Sequence, residues 1–183
     1  MSLLHDSNNG QSSATLYALW KAAQTQDAQE AEASSFWQHL LARHEFPEEQ
    51  FICDAWIRAS RGDGERIIDR GIRTFLPSTG SEIIVLCWVE GKGDPSPSAI
   101  KDCETQALDT CKKSLESHEW QESIYALTTS QTRAKAWLYE KGGAVGLTPL
   151  GNDEEYIEAN SAAGYKLREC FERMKRSPPA VPA

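Results

Sequence analysis

A carboxylate and an ammonium stand one residue apart at Glu90-Gly91-Lys92. They close the most strand-like stretch of the chain, the apolar run from Ile83 to Val89, which reads as a strand buried on both faces. Side chains alternate along a strand, so Glu90 and Lys92 point to the same side of the sheet. Opposite charges at the end of a core strand cost free energy unless they pair or bind something. Asp69 adds a second acid, because it interrupts a strand-like pattern between Ile67-Ile68 and Ile72. Were the two strands neighbours, both carboxylates would come within reach of one cation. Hard oxygen ligands suit Mg²⁺, or Mn²⁺ in its place. Such an ion lowers the pKa of a bound water and offsets developing phosphate charge. Asp69 and Glu90 are therefore the candidate metal ligands, and Lys92 supplies positive charge to the water or the transition state. Arg70 and Arg73 flank Asp69, and Lys101 stands just beyond the motif; all three could steer a phosphate backbone. The competing reading of Glu90 and Lys92 is a half-solvated ion pair worth about 0–1 kcal/mol. For Asp69 it is a cross-strand pair with an arginine.

The bulk properties bound the class. The chain has 183 residues, a net charge of −8, 40% hydrophobic residues and six Trp. That fits one domain of ordinary size with a real core. The acidic total argues against coating a polyanion through bulk charge, and leaves room for a local basic groove. Residues 1–11 lack a basic segment followed by an apolar core, and no apolar run approaches a membrane span. The five Cys form no CxxC pair and no zinc spacing, and most sit in apolar patterns. Buried thiols in a reducing compartment, cytoplasm or nucleus, are the expectation. His39, His44 and His118 have no ligand-like spacing. No serine or cysteine has the context of a nucleophile.

The elements that must position these residues follow from periodicity and punctuation. Residues 1–13 are polar and read as a flexible N-terminus. Ser12 or Ser13 caps a first helix bearing Leu16, Leu19, Trp20 and Ala23. Ser34 or Ser35 caps a second, with the stripe Phe36, Trp37, Leu40, Leu41 and His44, which Pro47 ends. Strands are predicted over 51–60 and 65–76, separated by Arg61-Gly62-Asp63-Gly64. Pro77-Ser78-Thr79-Gly80 then turns the chain into the strand that ends at Glu90 and Lys92, giving an antiparallel meander. Ser96-Pro97 starts a long helix to about His118, whose stripe is Ile100, Cys103, Ala107, Leu108, Cys111 and Leu115. Glu104 falls inside that stripe and must find a partner; Gln106 lies at its flank. A strand over 123–129, a hairpin partner over 134–140 and a Gly-rich connector over 141–151 follow. Asn152 or Asp153 then caps a last helix that includes Tyr156 and Ile157 and ends near Arg176. Residues 14–176 read as a single domain, and 177–183 as a disordered tail. The class is α/β or α+β, a mixed central sheet flanked by helices.

In this order of elements, with Asp69 on the second strand and Glu90-x-Lys92 on the third, the chain resembles the PD-(D/E)XK nucleases. The resemblance covers about residues 35–130. It implies a restriction-endonuclease-like core: helix, three-stranded meander, helix, strand. It also implies that Asp69, Glu90 and Lys92 are catalytic. Many members place a Gln on the helix after the Lys, and Gln106 matches it, with Glu104 nearby. The chain departs from the pattern in three places. Ile68, not Pro, precedes Asp69. Thr110 or Cys111 stands where RecB-type members often carry Tyr. An upstream helix Glu could be Glu45, Glu48 or Glu49.

The activity so implied is Mg²⁺-dependent hydrolysis of nucleic acid phosphodiesters, DNA first. The alternative is a catalytically inactive module of the same core, a binding or scaffold protein with a protein partner or a second copy of itself. No membrane partner is expected.

Overall fold

The computed structural model describes residues 1–5, 13–25, 30–58, 67–75, 83–151 and 155–179, with the strand backbone alone at 56–58 and 67–69. The alternating stretch after Pro47 forms β1 (Phe51–Arg58), which pairs antiparallel with β2 (Ile67–Phe75). β2 pairs antiparallel with β3 (Ile83–Lys92), so the meander is present. Ser96 then caps α3 (Pro97–Ser117): its hydroxyl accepts from the Ala99 N–H, and Pro97 fills the first helical position, where its missing N–H does no harm. α3 carries the chain back so that β4 (Ser123–Ser130) lies parallel to β3, the connection a parallel pair requires. β5 (Arg133–Glu140) returns antiparallel, and the short β6 (Thr148–Pro149) and β7 (Ile157–Glu158) both pair with it. The result is a seven-stranded mixed sheet in the order β1-β2-β3-β4-β5-β6, with β7 also on β5.

Helices cover both faces. On one side lie α1 (Ala14–Ala23), α2 (Glu30–Leu40), the π-helical turn Leu41–Glu45 that continues it, and α4 (Gly164–Arg176). Their apolar faces bury Leu16, Phe36, Trp37, Leu40, Leu167 and Phe171 against Cys87, Val89, Leu127 and Ala136. Each such side chain contributes roughly 1.5–3 kcal/mol on burial. On the other side α3 packs Ala107, Cys111 and Leu115 on Trp88, Ala126 and Trp137. The pairing slips within β3: Ile72 faces Cys87 but Arg73 faces Val85, so Leu86 is an extra residue, a β-bulge. Leu86 and Cys87 consequently both join the α2-side core, while Val85 and Trp88 face α3.

Several expectations shift. α2 starts at Glu30, not at a Ser34 or Ser35 cap; the Ala/Glu stretch is helical, and the Ser35 hydroxyl donates back to the Ala31 carbonyl. Tyr156 and Ile157 precede the last helix rather than belonging to it, because Ile157 pairs across to Ala134 in the sheet. The proposed caps Asn152 and Asp153 lie outside the described residues. Met1–His5 is packed, not trailing: Leu3 and Leu4 are buried, the Leu3 N–H donates to the Ala159 carbonyl, and the terminal amine to that of Ala162. At the other end the Tyr125 hydroxyl donates to the Ser177 carbonyl. Among the described residues no helix is long and apolar enough to cross a membrane.

Candidate functional site

The pleat and the bulge together aim the end of β3. Cys87, Val89 and Gly91 face the α2 side, and Trp88, Glu90 and Lys92 alternate onto the α3 side. Glu90 is only 4% exposed, and Lys92 is half-buried. α3 forms the roof. The Thr110 hydroxyl, itself buried, donates to Glu90 Oε1 at 3.0 Å, and the Cys103 thiol donates to the Glu90 carbonyl at 3.4 Å. Gln106 is half-buried between them, one turn from Thr110 on the same helix face. Sequence reasoning passed over Thr110 except as the place of a missing Tyr. A hydroxyl at helical spacing from Cys103 and Ala107 was the available signal.

Beside Glu90 on β4 lies Thr128, its partner in the parallel register. The Thr128 hydroxyl is saturated. It accepts from Trp137 Nε1 at 2.8 Å and from the Tyr156 hydroxyl at 2.7 Å, and it donates to the Lys135 carbonyl. Burial holds the Tyr156 phenol protonated far above its usual range, and the charge of Glu104 adds to the effect. Neither Tyr156 nor Thr128 is marked by any local motif, because the contact joins distant parts of the chain. Lys135 stands over the Trp137 ring, its ammonium 4.4 Å from the centroid. Burial, then the Glu90 charge, raises both flanking thiols, Cys103 to about 12 and Cys111 further. Both stay protonated at neutral pH.

The second proposed acid sits at the margin. Arg70 pairs with Val89 and Gly71 with Trp88, so the β2 segment that carries Asp69 runs alongside the β3 segment that carries Glu90. The Asp69 side chain lies outside the described residues. Among the described residues, no three His, Cys, Asp or Glu side chains gather closely enough to hold a metal ion.

The other charged candidates are placed elsewhere. Arg70 turns to the α2 side, is buried, and donates to the Ser34 carbonyl at 2.8 Å. Arg73 is engaged by Asp54 on β1. Neither arginine is therefore presented to a phosphate in the way their sequence positions beside Asp69 suggested. Lys101 is exposed on the first turns of α3. Of the three upstream acids, Glu45 is gripped by Arg168 at 2.9 Å and Glu48 by Lys175 at 3.0 Å, both on the α4 side, while Glu49 is exposed. A groove of about 760 Å³ opens on the α2 side, lined by Ser34, Gln38, His39, Arg43, Ala55 and Arg70 among others. It is across the sheet from Glu90.

No family model, curated protein or solved structure matches this chain.

Proposed function

We propose that the chain is a metal-dependent phosphodiesterase that hydrolyses nucleic acid, DNA first, on a restriction-endonuclease-like core of the PD-(D/E)XK type. One observation carries the reading: the Glu90 carboxylate is 4% exposed at the end of a central strand, with Lys92 on the same face. A fold accepts a buried carboxylate at such a position mainly where a ligand or reaction uses it. The meander, the α3 crossover and the parallel β4 agree with the order of elements that the resemblance implied.

The donor type suits a hard cation: Glu90 offers carboxylate oxygen. Asp69 and Glu90 would hold Mg²⁺ or Mn²⁺, and the ion would supply a water of lowered pKa. Lys92 would place its ammonium where negative charge develops on the phosphate. Gln106, on the helix above, would orient the substrate or the attacking water. The test is cleavage of plasmid and single-stranded DNA with and without Mg²⁺. The expected outcome is cleavage that a chelator abolishes and that Lys92→Ala lowers by about 10²–10³-fold, the scale for removing one charge-stabilising donor. Equal rates in the two proteins would remove this mechanism.

A second reading has its own support. Glu45 and Glu48 are committed to Arg168 and Lys175. An upstream acid is then missing from the set the resemblance implied, unless Glu49 moves in to supply it. On that reading the chain is a catalytically inactive module that binds nucleic acid, a protein partner or a second copy of itself. Titration calorimetry separates the two readings, because only a metal site takes up Mg²⁺ or Mn²⁺ and loses it on Glu90→Gln.

A further inference from the structure

Arg70 is engaged by the Ser34 carbonyl and Arg73 by Asp54, so the cations on the Glu90 face come from other places. Lys92 on β3 lies opposite Ser130 on β4, and Ser130 lies opposite Arg133 on β5. Ala126 and Trp137 pack under α3, so alternation brings Ser130 and Arg133 to the same face as Lys92. Neighbouring strands lie about 4.8 Å apart, which sets the two basic residues roughly 10 Å apart at the backbone. Their side chains are long enough to close on one phosphate between them. The row stands beside the candidate site, because Glu90 pairs with Thr128 in the same register. Ser130 is buried and bonds the Asp94 carbonyl, which leaves the rim to the two cations, Arg133 exposed and Lys92 half-buried.

The acids that the register and the following loop bring to this row are engaged. Glu90 is buried beneath Thr110. The Asp94 carboxylate accepts from the N–H and the hydroxyl of Ser96, at 2.8 Å each. Glu158, opposite Arg133 on β7, accepts from Trp20, Thr132 and the Asn160 N–H. Among the described residues neither Lys92 nor Arg133 has an ion-pair partner. In a chain of net charge −8, two such cations side by side mark a place for an anion.

We propose that Arg133 is a substrate-binding residue: with Lys92 it seats a phosphate of the nucleic acid backbone beside the one presented to Glu90. This rests on the nuclease reading above and adds to it a residue outside the motif. Such a contact fixes the position of the strand and carries no sequence preference.

The experiment follows fluorescence anisotropy of a labelled single strand of about 20 nucleotides, and of its duplex, with the full chain in EDTA from about 50 to 200 mM salt. The expected result is binding of at least one probe, with affinity severalfold lower in Arg133→Ala and a salt slope reduced by about 1. Arg133→Lys keeps the charge and should keep the slope. Lys21→Ala removes an exposed cation from α1, across the sheet, and should leave the slope unchanged. Thermal melts of all variants should match the wild-type chain. An unchanged slope in Arg133→Ala, with the wild-type chain binding, overturns the role of Arg133 and leaves the nuclease reading standing. An equal loss in Arg133→Lys or in Lys21→Ala overturns it too, since the first makes the residue structural and the second makes the attraction one of bulk charge. A wild-type chain that binds neither probe overturns this inference, and the Mg²⁺ cleavage assay then decides the nuclease reading by itself.

Discussion

Two buried glutamates on opposite sides of the sheet are handled in different ways. Glu45, 2% exposed, is clasped by Arg168, whose Nε reaches both carboxylate oxygens at 3.2 and 3.3 Å and whose Nη2 reaches Oε1 at 2.9 Å. The same guanidinium donates to the carbonyls of Leu3 and His5 and so ties down the chain's first residues. Glu90, 4% exposed, has its Oε1 held by the neutral hydroxyl of Thr110. The first arrangement supplies a full positive charge and several donors, which is what a permanently buried anion needs. The second orients a carboxylate through a neutral group. Glu45 is clasped by a charge, and the Oε1 of Glu90 is oriented by a neutral hydroxyl.

The comparison breaks most sharply at Arg168. Removal of one partner from a buried pair leaves the other desolvated, at a cost of about 3–5 kcal/mol. Arg168→Met should therefore lower unfolding free energy by that order in urea titrations at pH 7, with little change in divalent-ion binding. The pH dependence has a definite sign. Burial already raises the Glu45 pKa above its usual 4.5, and Arg168 is the main group lowering it again. In the variant it rises further. Between the unfolded and the folded pKa the native chain holds the extra proton, so stability falls as pH rises through that window. The penalty of Arg168→Met should accordingly shrink as pH is lowered from 7 toward 4.5. A penalty independent of pH would mean that the carboxylate finds another partner.

Glu90→Gln is the matched experiment across the sheet. The amide keeps the shape and can still accept from Thr110, so the unfolding free energy should change by about 1 kcal/mol or less. Divalent-ion binding and cleavage should be lost. A large loss of stability here would make Glu90 a second structural carboxylate and erase the contrast. The smallest effect belongs to Tyr156→Phe, which removes one donor from Thr128. It should cost about 1 kcal/mol, readable as a small shift in the urea midpoint.

The sequence was most legible where a local pattern decides the outcome. The apolar run before Glu90 and the Ser-Pro helix start are local, and β3 and α3 lie where they point, while the turns expected at 61–64 and 77–80 lie outside the described residues. The shared face of Glu90 and Lys92 follows from alternation alone. The rest depended on contacts made at long range. Ile157 and Glu158 leave the expected helix because β5 has an edge to offer them. Polar residues at the start of the chain hide Leu3 and Leu4, which bury only because α4 and the segment before it stand ready to receive them. Nothing near Thr128 in sequence identifies Tyr156, whose hydroxyl donates to it from 28 residues away. The same holds for Arg168, which settles the role of Glu45 from 123 residues away.

The extra residue in β3 carries a lesson for anyone shortening or grafting this strand. Leu86 sets the phase of everything that follows it, since two consecutive side chains there share one side before the alternation resumes. Excising a single amino acid at that point would let β2 and β3 zip in unbroken step. The acid and the amine would still face the α3 layer, whereas pairing the strand in unbroken step with Leu86 retained would turn them to the other layer with every atom of the motif intact.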